Sequence, residues 1–262
     1  MIRALYTAAS GMSAQQTNLD TIANNLANSA TAGFRQRQVQ FEDMIYQNLI
    51  TPGAADTQQT LSAGLQVGLG TKTSASEVIM TQGDPNKTGN TYDLAIQGAG
   101  FFQVSLPNGT VGYTRAGNFQ VNNQGTITTS DGDIVLPAIT IPSNASNVVI
   151  SQYGVVTATL PGQTNATQLG TIQLATFPNP GGLSSIGGNL LQPTTASGNA
   201  ITDAPGGNSG MGTLAQFTLE NSNVDVVAEF VQMILAQRAY ESNSKVIHVA
   251  DDMYSQINGL IR

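Results

Sequence analysis

The two ends of this chain repeat apolar or small side chains in alternating steps of three and four, and the middle does not. The N-terminal row is Ile2, Leu5, Ala9, Met12, Leu19, Ala23 and Leu26, with Gln16 in the skipped slot. The C-terminal row is Ala236, Ala239, Val246, Ala250, Met253, Ile257 and Leu260, with Asn243 in the gap. Such spacing is a heptad seam, the pattern two helices need to wind about each other. It predicts a helix at each terminus, the two forming a coiled-coil-like pair. A second C-terminal row, Met233, Tyr240, Ile247, Tyr254 and Ile261, repeats every seven residues, so more than one face of that helix is apolar. One face can pack on the N-terminal helix, and the other is left for neighbouring subunits.

The N-terminal helix is expected over residues 1 to about 29, where Asn24, Asn25 and Asn28 crowd its end and Gly33 supplies a stop. These asparagines read as helix-terminating residues. The C-terminal helix is expected from Ser222, which with Asp225 makes a capping-box-like pair. From Val224 to Leu260 there is no proline and the first glycine is Gly259, so that helix would be about 55 Å long.

Between the helices the signals are short strands and turns. Phe101 to Leu106 and Val111 to Arg115 flank Pro107-Asn108-Gly109; Phe119 to Val121 and Thr126 to Thr129 flank Asn122 to Gly125; Val148 to Ser151 and Val155 to Leu160 flank Gln152-Tyr153-Gly154. Each is a hairpin signature. Leu169 to Phe177 reads as a fourth strand region. Residues 178 to about 213, rich in Gly, Pro, Asn and Ser, read as a surface-wandering segment. The expected fold class is α+β, two long terminal helices with a central all-β sandwich or barrel. The expected division is 1–33 with 222–262 as the helical domain, 34–76 as an extended connecting segment, and 77–221 as the β-rich domain. Thr51 to Gly70 has no apolar pattern, and composition leaves an ordered loop and a flexible linker equally open.

Composition narrows the function. Charged residues are 10% of the chain, well under the ordinary quarter, and the formal charge is −7. An acidic chain without a basic patch is a poor match for nucleic acid. Cysteine is absent, which removes disulfides and thiolate chemistry together. No apolar run is long enough to span a bilayer, and Gly11, Ser13 and Gln15 interrupt what would be a signal-peptide core. The expectation is a chain that is either cytoplasmic or exported without a cleaved signal and is not inserted in a membrane.

Catalytic and cofactor signatures are missing. His248 is the one histidine, and acid–base work needs a partnered group in a cleft. Gly98-Ala99-Gly100 lacks the third glycine and following helix of a dinucleotide loop. Asp131-Gly132-Asp133 reads as a plain turn rather than a calcium loop. No catalytic residue, cofactor or metal ligand is assigned, and no enzymatic activity is expected.

Several stretches resemble a known family. Ala8 to Gln16, Leu19-Asp20-Thr21-Ile22-Ala23-Asn24-Asn25-Leu26-Ala27-Asn28 and Thr31-Ala32-Gly33-Phe34-Arg35 are similar to the N-terminal signature of bacterial flagellar rod and hook proteins. Asp93 to Val104, Tyr113 to Phe119, Glu220 to Asp225 and Gln237 to Glu241 resemble that family's central and C-terminal motifs. Tyr6 and Ser29-Ala30-Thr31 depart slightly from the usual pattern. Tyr46 to Gly64 resembles the insertion typical of the distal-rod branch, and Gly64 to Thr71 is also like that branch.

The resemblance implies a structural subunit of the flagellar distal rod, self-assembling into a rigid tubular drive shaft that passes torque to the hook. Alternatives are a hook or proximal rod subunit and a secreted β-rich adhesin. The implied subunit-packing residues are Ile2, Leu5, Ala9, Met12, Leu19, Ile22 and Leu26 on the first helix. On the last they are Met233, Ala239, Tyr240, Val246, Ile247, Met253, Tyr254, Ile257 and Leu260. Gln47, Pro52, Gly53 and Gly64 mark a rod-stiffening segment. Implied partners are further copies of itself, proximal rod proteins, hook protein and hook-side subunits, the surrounding L- and P-ring proteins, the rod cap and the type III export apparatus. The implied location is the basal body, from periplasm to outer membrane.

Overall fold

The computed structural model describes residues 2–50, 55–56, 59–60, 64–162, 165–207 and 210–260. The chain divides into two compact units. The helical unit contains residues 1–27, 37–78 and 225–262; the β unit contains 28–36 and 79–224.

In the helical unit, α1 runs Ile2–Ala27 and α2 runs Val226–Leu260. The 35 residues of α2 give a rod about 52 Å long. The helices pack on each other, as their seams require. At Gly11 the α2 seam presents a polar residue at close range: a Cβ on Gly11 would lie 2.8 Å from the Asn243 amide nitrogen. α1 also packs against an antiparallel ribbon of strands Arg37–Asp43 and Thr71–Val78. Strands Tyr46–Ile50 and Leu65–Gly68 form a second antiparallel pair, and Ala55–Asp56 pairs with Gln59–Thr60.

The start of α2 differs from the expectation. Asp225, not Ser222, caps the helix: its Oδ1 accepts the backbone N–H groups of Val227 at 2.9 Å and Ala228 at 3.2 Å. The Ser222 hydroxyl instead accepts the N–H of Val224. Both residue types suit a cap, and the hydrogen bonds to the first helical turn decide between them.

The β unit is built from antiparallel strands. Its largest sheet has nine strands among the described residues, with Phe101–Ser105 inside it between Val111–Thr114 and Ile134–Leu136. Both faces of that strand are covered. Phe102 and Val104 enter a large core with Phe119, Ile127, Val135, Ile150 and Leu174, while Phe101 joins a second cluster with Tyr113, Ala175 and Phe177. This is the alternation a strand imposes, with apolar residues on both sides. Phe102 meets Phe119 edge to face at 4.9 Å, and Tyr113 meets Phe177 the same way at 4.8 Å.

The three expected hairpins form, at Phe101–Ser105 with Val111–Thr114, Gln120–Val121 with Ile127–Thr128, and Asn147–Ile150 with Val155–Thr159. Leu169 to Phe177 is two strands rather than one. Thr167–Thr171 pairs with Val155–Thr159, and Leu174–Thr176 crosses to the large sheet. Residues 178 to 213 do more than wander. Ser184–Gly187, Leu190–Gln192 and Ile201–Asp203 are strands of the large sheet, and Leu183, Ser197 and Met211 are buried. These strands are three or four residues long, too short for a period to appear in the sequence.

Candidate functional site: the helical pair and its buried polar anchors

One amide organises the helical unit. Asn25, near the end of α1, is 1% exposed. Its Nδ2 donates to the Arg37 carbonyl at 2.8 Å, and its Oδ1 accepts the Arg37 N–H at 2.9 Å. The side chain thus pairs with strand main chain as a neighbouring strand would. Nδ2 also lies 3.3 Å from Oε1 of Glu229. Glu229 is buried in the first turn of α2, where the helix N-terminus favours a negative charge. Asn25 therefore ties α1, the ribbon and α2 together instead of merely terminating a helix.

The β unit has its own anchor. Glu220 is fully buried and receives two guanidinium groups, Arg35 Nη2 at 2.6 Å on Oε1 and Arg115 Nη1 at 3.3 Å on Oε2. The Gly83 N–H donates to Oε1 at 3.0 Å, and Arg115 Nη2 donates to the Gly98 carbonyl at 2.7 Å. Burial pushes the Arg115 guanidinium down to about 10; Glu220 pulls it up and Arg35 pushes it further down. It remains charged at neutral pH.

Further hydrogen bonds close this junction. The Gly33 N–H donates to the Glu220 carbonyl at 2.8 Å. Asn223 accepts the Gln36 N–H at 2.7 Å and donates to the carbonyls of Ile79 and Thr81, each at 3.0 Å. Gly33 has φ +70°, and a Cβ there would lie 2.5 Å from the Ala116 nitrogen. Gly117 is equally constrained, with a Cβ reaching 1.7 Å from the Leu94 carbonyl oxygen. Three separate sequence motifs, around Gly33-Phe34-Arg35, Arg115-Ala116-Gly117 and Glu220 to Asn223, thus meet at one buried point.

The expected packing residues fall in different environments. On α1, Ile22 is buried, and Leu5, Met12, Leu19 and Leu26 are half-buried. Ala9 is exposed, and Ala8 takes the buried place beside it. On α2, Met233, Ala239, Ile247 and Tyr254 are half-buried, while Tyr240, Val246, Met253 and Ile257 are exposed. The side chains of Ile2 and Leu260, and the whole of Pro52 and Gly53, lie outside the described residues. Gln47 sits exposed on strand Tyr46–Ile50, and Gly64 immediately precedes Leu65–Gly68.

A second exposed row on α2 was not among the expected residues: Val227, Phe230, Val231, Ile234 and Leu235. Its spacing of three, one, three and one is a helical stripe, legible from the sequence once the C-terminal half of the helix is not taken as the whole seam. Phe41, Met44, Ile45, Tyr46, Leu49 and Leu65, on and beside the two ribbons, are also exposed. Apolar side chains collected this way mark association surfaces.

His248 is exposed on α2. Among the described residues there is no group of three or more His, Asp and Glu side chains that could hold a metal. Asp131 to Asp133 is a tight turn in which the Thr129 N–H donates to the Asp133 carbonyl at 2.8 Å. No helix is long and apolar enough to cross a membrane among the described residues.

Comparison with known proteins identifies the family. Residues 5–35 match the flagella basal body rod protein family, 95–158 the flagellar hook protein FlgE/F/G D1 domain, and 215–260 the flagellar basal body rod FlgEFG protein C-terminal family. The flagellar basal-body rod protein FlgG of Caulobacter vibrioides is 48% identical over 96% of this chain and 97% of its own length. The chain belongs to the FlgG family of flagellar basal-body rod proteins. FlgG of Borreliella burgdorferi is 46% identical over the full length of both chains, and FlgG of Bacillus subtilis is 39% identical over the same extent. The Asn25, Arg35 and Glu220 anchors all lie within segments matched by the rod-family models. The family is a structural one, and its members belong to the flagellar basal body.

Proposed function

We propose that this chain is a structural subunit of the flagellar distal rod, exported without a cleaved signal and assembled into a straight shaft between the proximal rod and the hook. The observation that carries this reading is the exposed apolar stripe along α2, in a chain with full-length FlgG relatives. Water is a poor solvent for such a stripe, and burial is worth about 25 cal/mol per Å² of apolar surface. Copies of the same chain supply the cover. Torque passes along a shaft only if neighbouring subunits cannot slide, and close-packed apolar seams resist sliding because voids are costly.

In this reading the terminal helices form the inner wall of the shaft, and the β unit faces the surrounding L- and P-ring proteins. The rod cap and the type III export apparatus deliver and place the subunits. The segment around Gln47, Pro52, Gly53 and Gly64 stiffens the shaft by lying between copies. Replacement of the resident rod gene in a motile host tests the proposal. Restored swimming with this chain in isolated basal bodies supports it; intact expression and export without a rod would refute it.

A further inference from the structure

Two different apolar surfaces lie on one helix. The stripe Val227, Phe230, Val231, Ile234 and Leu235 forms a ridge on the first half of α2, each side chain between 48 and 72% exposed. At 100° per residue it lies about opposite the buried side chains of Glu229 and Ala236. Near the other end of α2, Ala4 of α1 and Val246, Val249, Ala250 and Met253 line a groove of 320 Å³, with Ser242 and Lys245 completing it. The groove and the ridge are both in the helical unit.

We infer that the ridge of one copy seats in the groove of the next, making α2 the carrier of both halves of a head-to-tail contact. This rests on the self-assembly proposed above and names the surfaces that perform it. The ridge cannot fill its own groove: Phe230 and Val249 are 19 positions apart on one continuous helix, about 28 Å. A surface that complements a different surface of the same molecule makes a heterologous contact, and such contacts propagate into open filaments when they do not close. A self-complementary patch would stop at a dimer. The chemistry also selects this occupant. The ridge carries only aliphatic and aromatic side chains, and five of the seven groove residues are apolar. A groove of that volume accommodates a large side chain such as Phe230 with a neighbour. The contact offsets two α2 helices along their axes by about 28 Å.

The absence of cysteine gives a clean test. Phe230→Cys and Val249→Cys are introduced singly and together into the full chain, which is assembled and then oxidised. Within one chain the two positions are far beyond the roughly 7 Å limit for a disulfide between Cα atoms. The double variant yields a ladder of covalent oligomers on a denaturing gel. Each single variant alone stays monomeric, and a mixture of the two singles stops at dimers. Dimers from one single variant alone, or only monomers from an assembled double variant, would overturn the inference. If these substitutions block assembly, Ile234→Lys provides the second measurement. Mixed in small amount with the unaltered chain, it still offers a groove but no ridge, and so shortens the filaments. Unchanged filament length with the variant folded and present would also overturn it. Failure of the unaltered chain to assemble in any setting counts instead against the rod-subunit reading.

Discussion

Arg35 and Glu220, 185 positions apart in sequence, meet at 2.6 Å in the interior of the β unit. Arg115 approaches the other oxygen of the same carboxylate, so one acid holds two buried cations. Removing the acid leaves both uncompensated. Breaking a buried charge pair costs about 3–5 kcal/mol, whereas replacing all members with apolar groups of similar volume is often neutral. Glu220→Gln is therefore expected to destabilise the β unit by that amount, read as a shift in its denaturant midpoint. A triple replacement of Arg35, Arg115 and Glu220 by apolar residues is expected to cost less than the single one.

Asn25 gives the matching prediction for the helical unit. Asn25→Asp keeps an acceptor for the Arg37 N–H but loses the donor to the Arg37 carbonyl and sets a carboxylate beside Glu229. Leaving a buried polar group unsatisfied costs about 1–3 kcal/mol, and more when charge is involved. The helical signal in circular dichroism should melt earlier, while the near-ultraviolet signal of the β-unit aromatics is retained. Melting unchanged from the parent chain would show that Asn25 does not hold the unit together.

The segment from Gln47 to Gly64 is expected to govern stiffness rather than assembly. Two-stranded ribbons are marginal on their own, and the flanking strands leave Tyr46, Leu49, Ile50 and Leu65 exposed for neighbours to cover. Deleting the segment should leave rods that assemble but bend or supercoil. Straight, rigid rods from the deletion, imaged by electron microscopy, would refute the role.

Charge on the β unit suggests a bearing surface. Arg115, the one basic residue between Thr88 and Leu219, is buried, and so are Asp93 and Asp133. The charges left outside the core over that range are Asp131 and Asp203, so the exterior carries few charges and those are acidic. A shaft turning in a close ring runs most evenly when no deep attractive wells recur around it, and ion pairs deepen where water is excluded. Lysines at exposed Ser143, Asn147 and Ser184 should permit assembly but slow rotation at fixed load, most of all at low salt. Equal rotation speeds in tethered cells would remove the bearing role.

Much of this architecture was legible in the sequence, and the exceptions have physical causes. Heptad spacing located both helices, and Pro-Asn-Gly, Asn-Asn-Gln-Gly and Gln-Tyr-Gly located three hairpins, because period and turn chemistry are local. The break between Thr167–Thr171 and Leu174–Thr176 was not visible. There the chain changes sheets, with the Ile172 N–H donating to the Gly154 carbonyl, a choice made by distant partners. Asn25 looked like a helix terminator because its real partners, Arg37 and Glu229, are remote along the chain. The ridge from Val227 to Leu235 is also regularly spaced, but it lies N-terminal to Ala236, where the heptad seam begins.

The most direct test of the account is an image of basal bodies from a cell in which this chain replaces the resident distal rod subunit. The account predicts a straight shaft beyond the proximal rod, decorated along its length by antibody to this chain. Basal bodies that end at the proximal rod, with the chain exported but recovered as soluble protein, would contradict it.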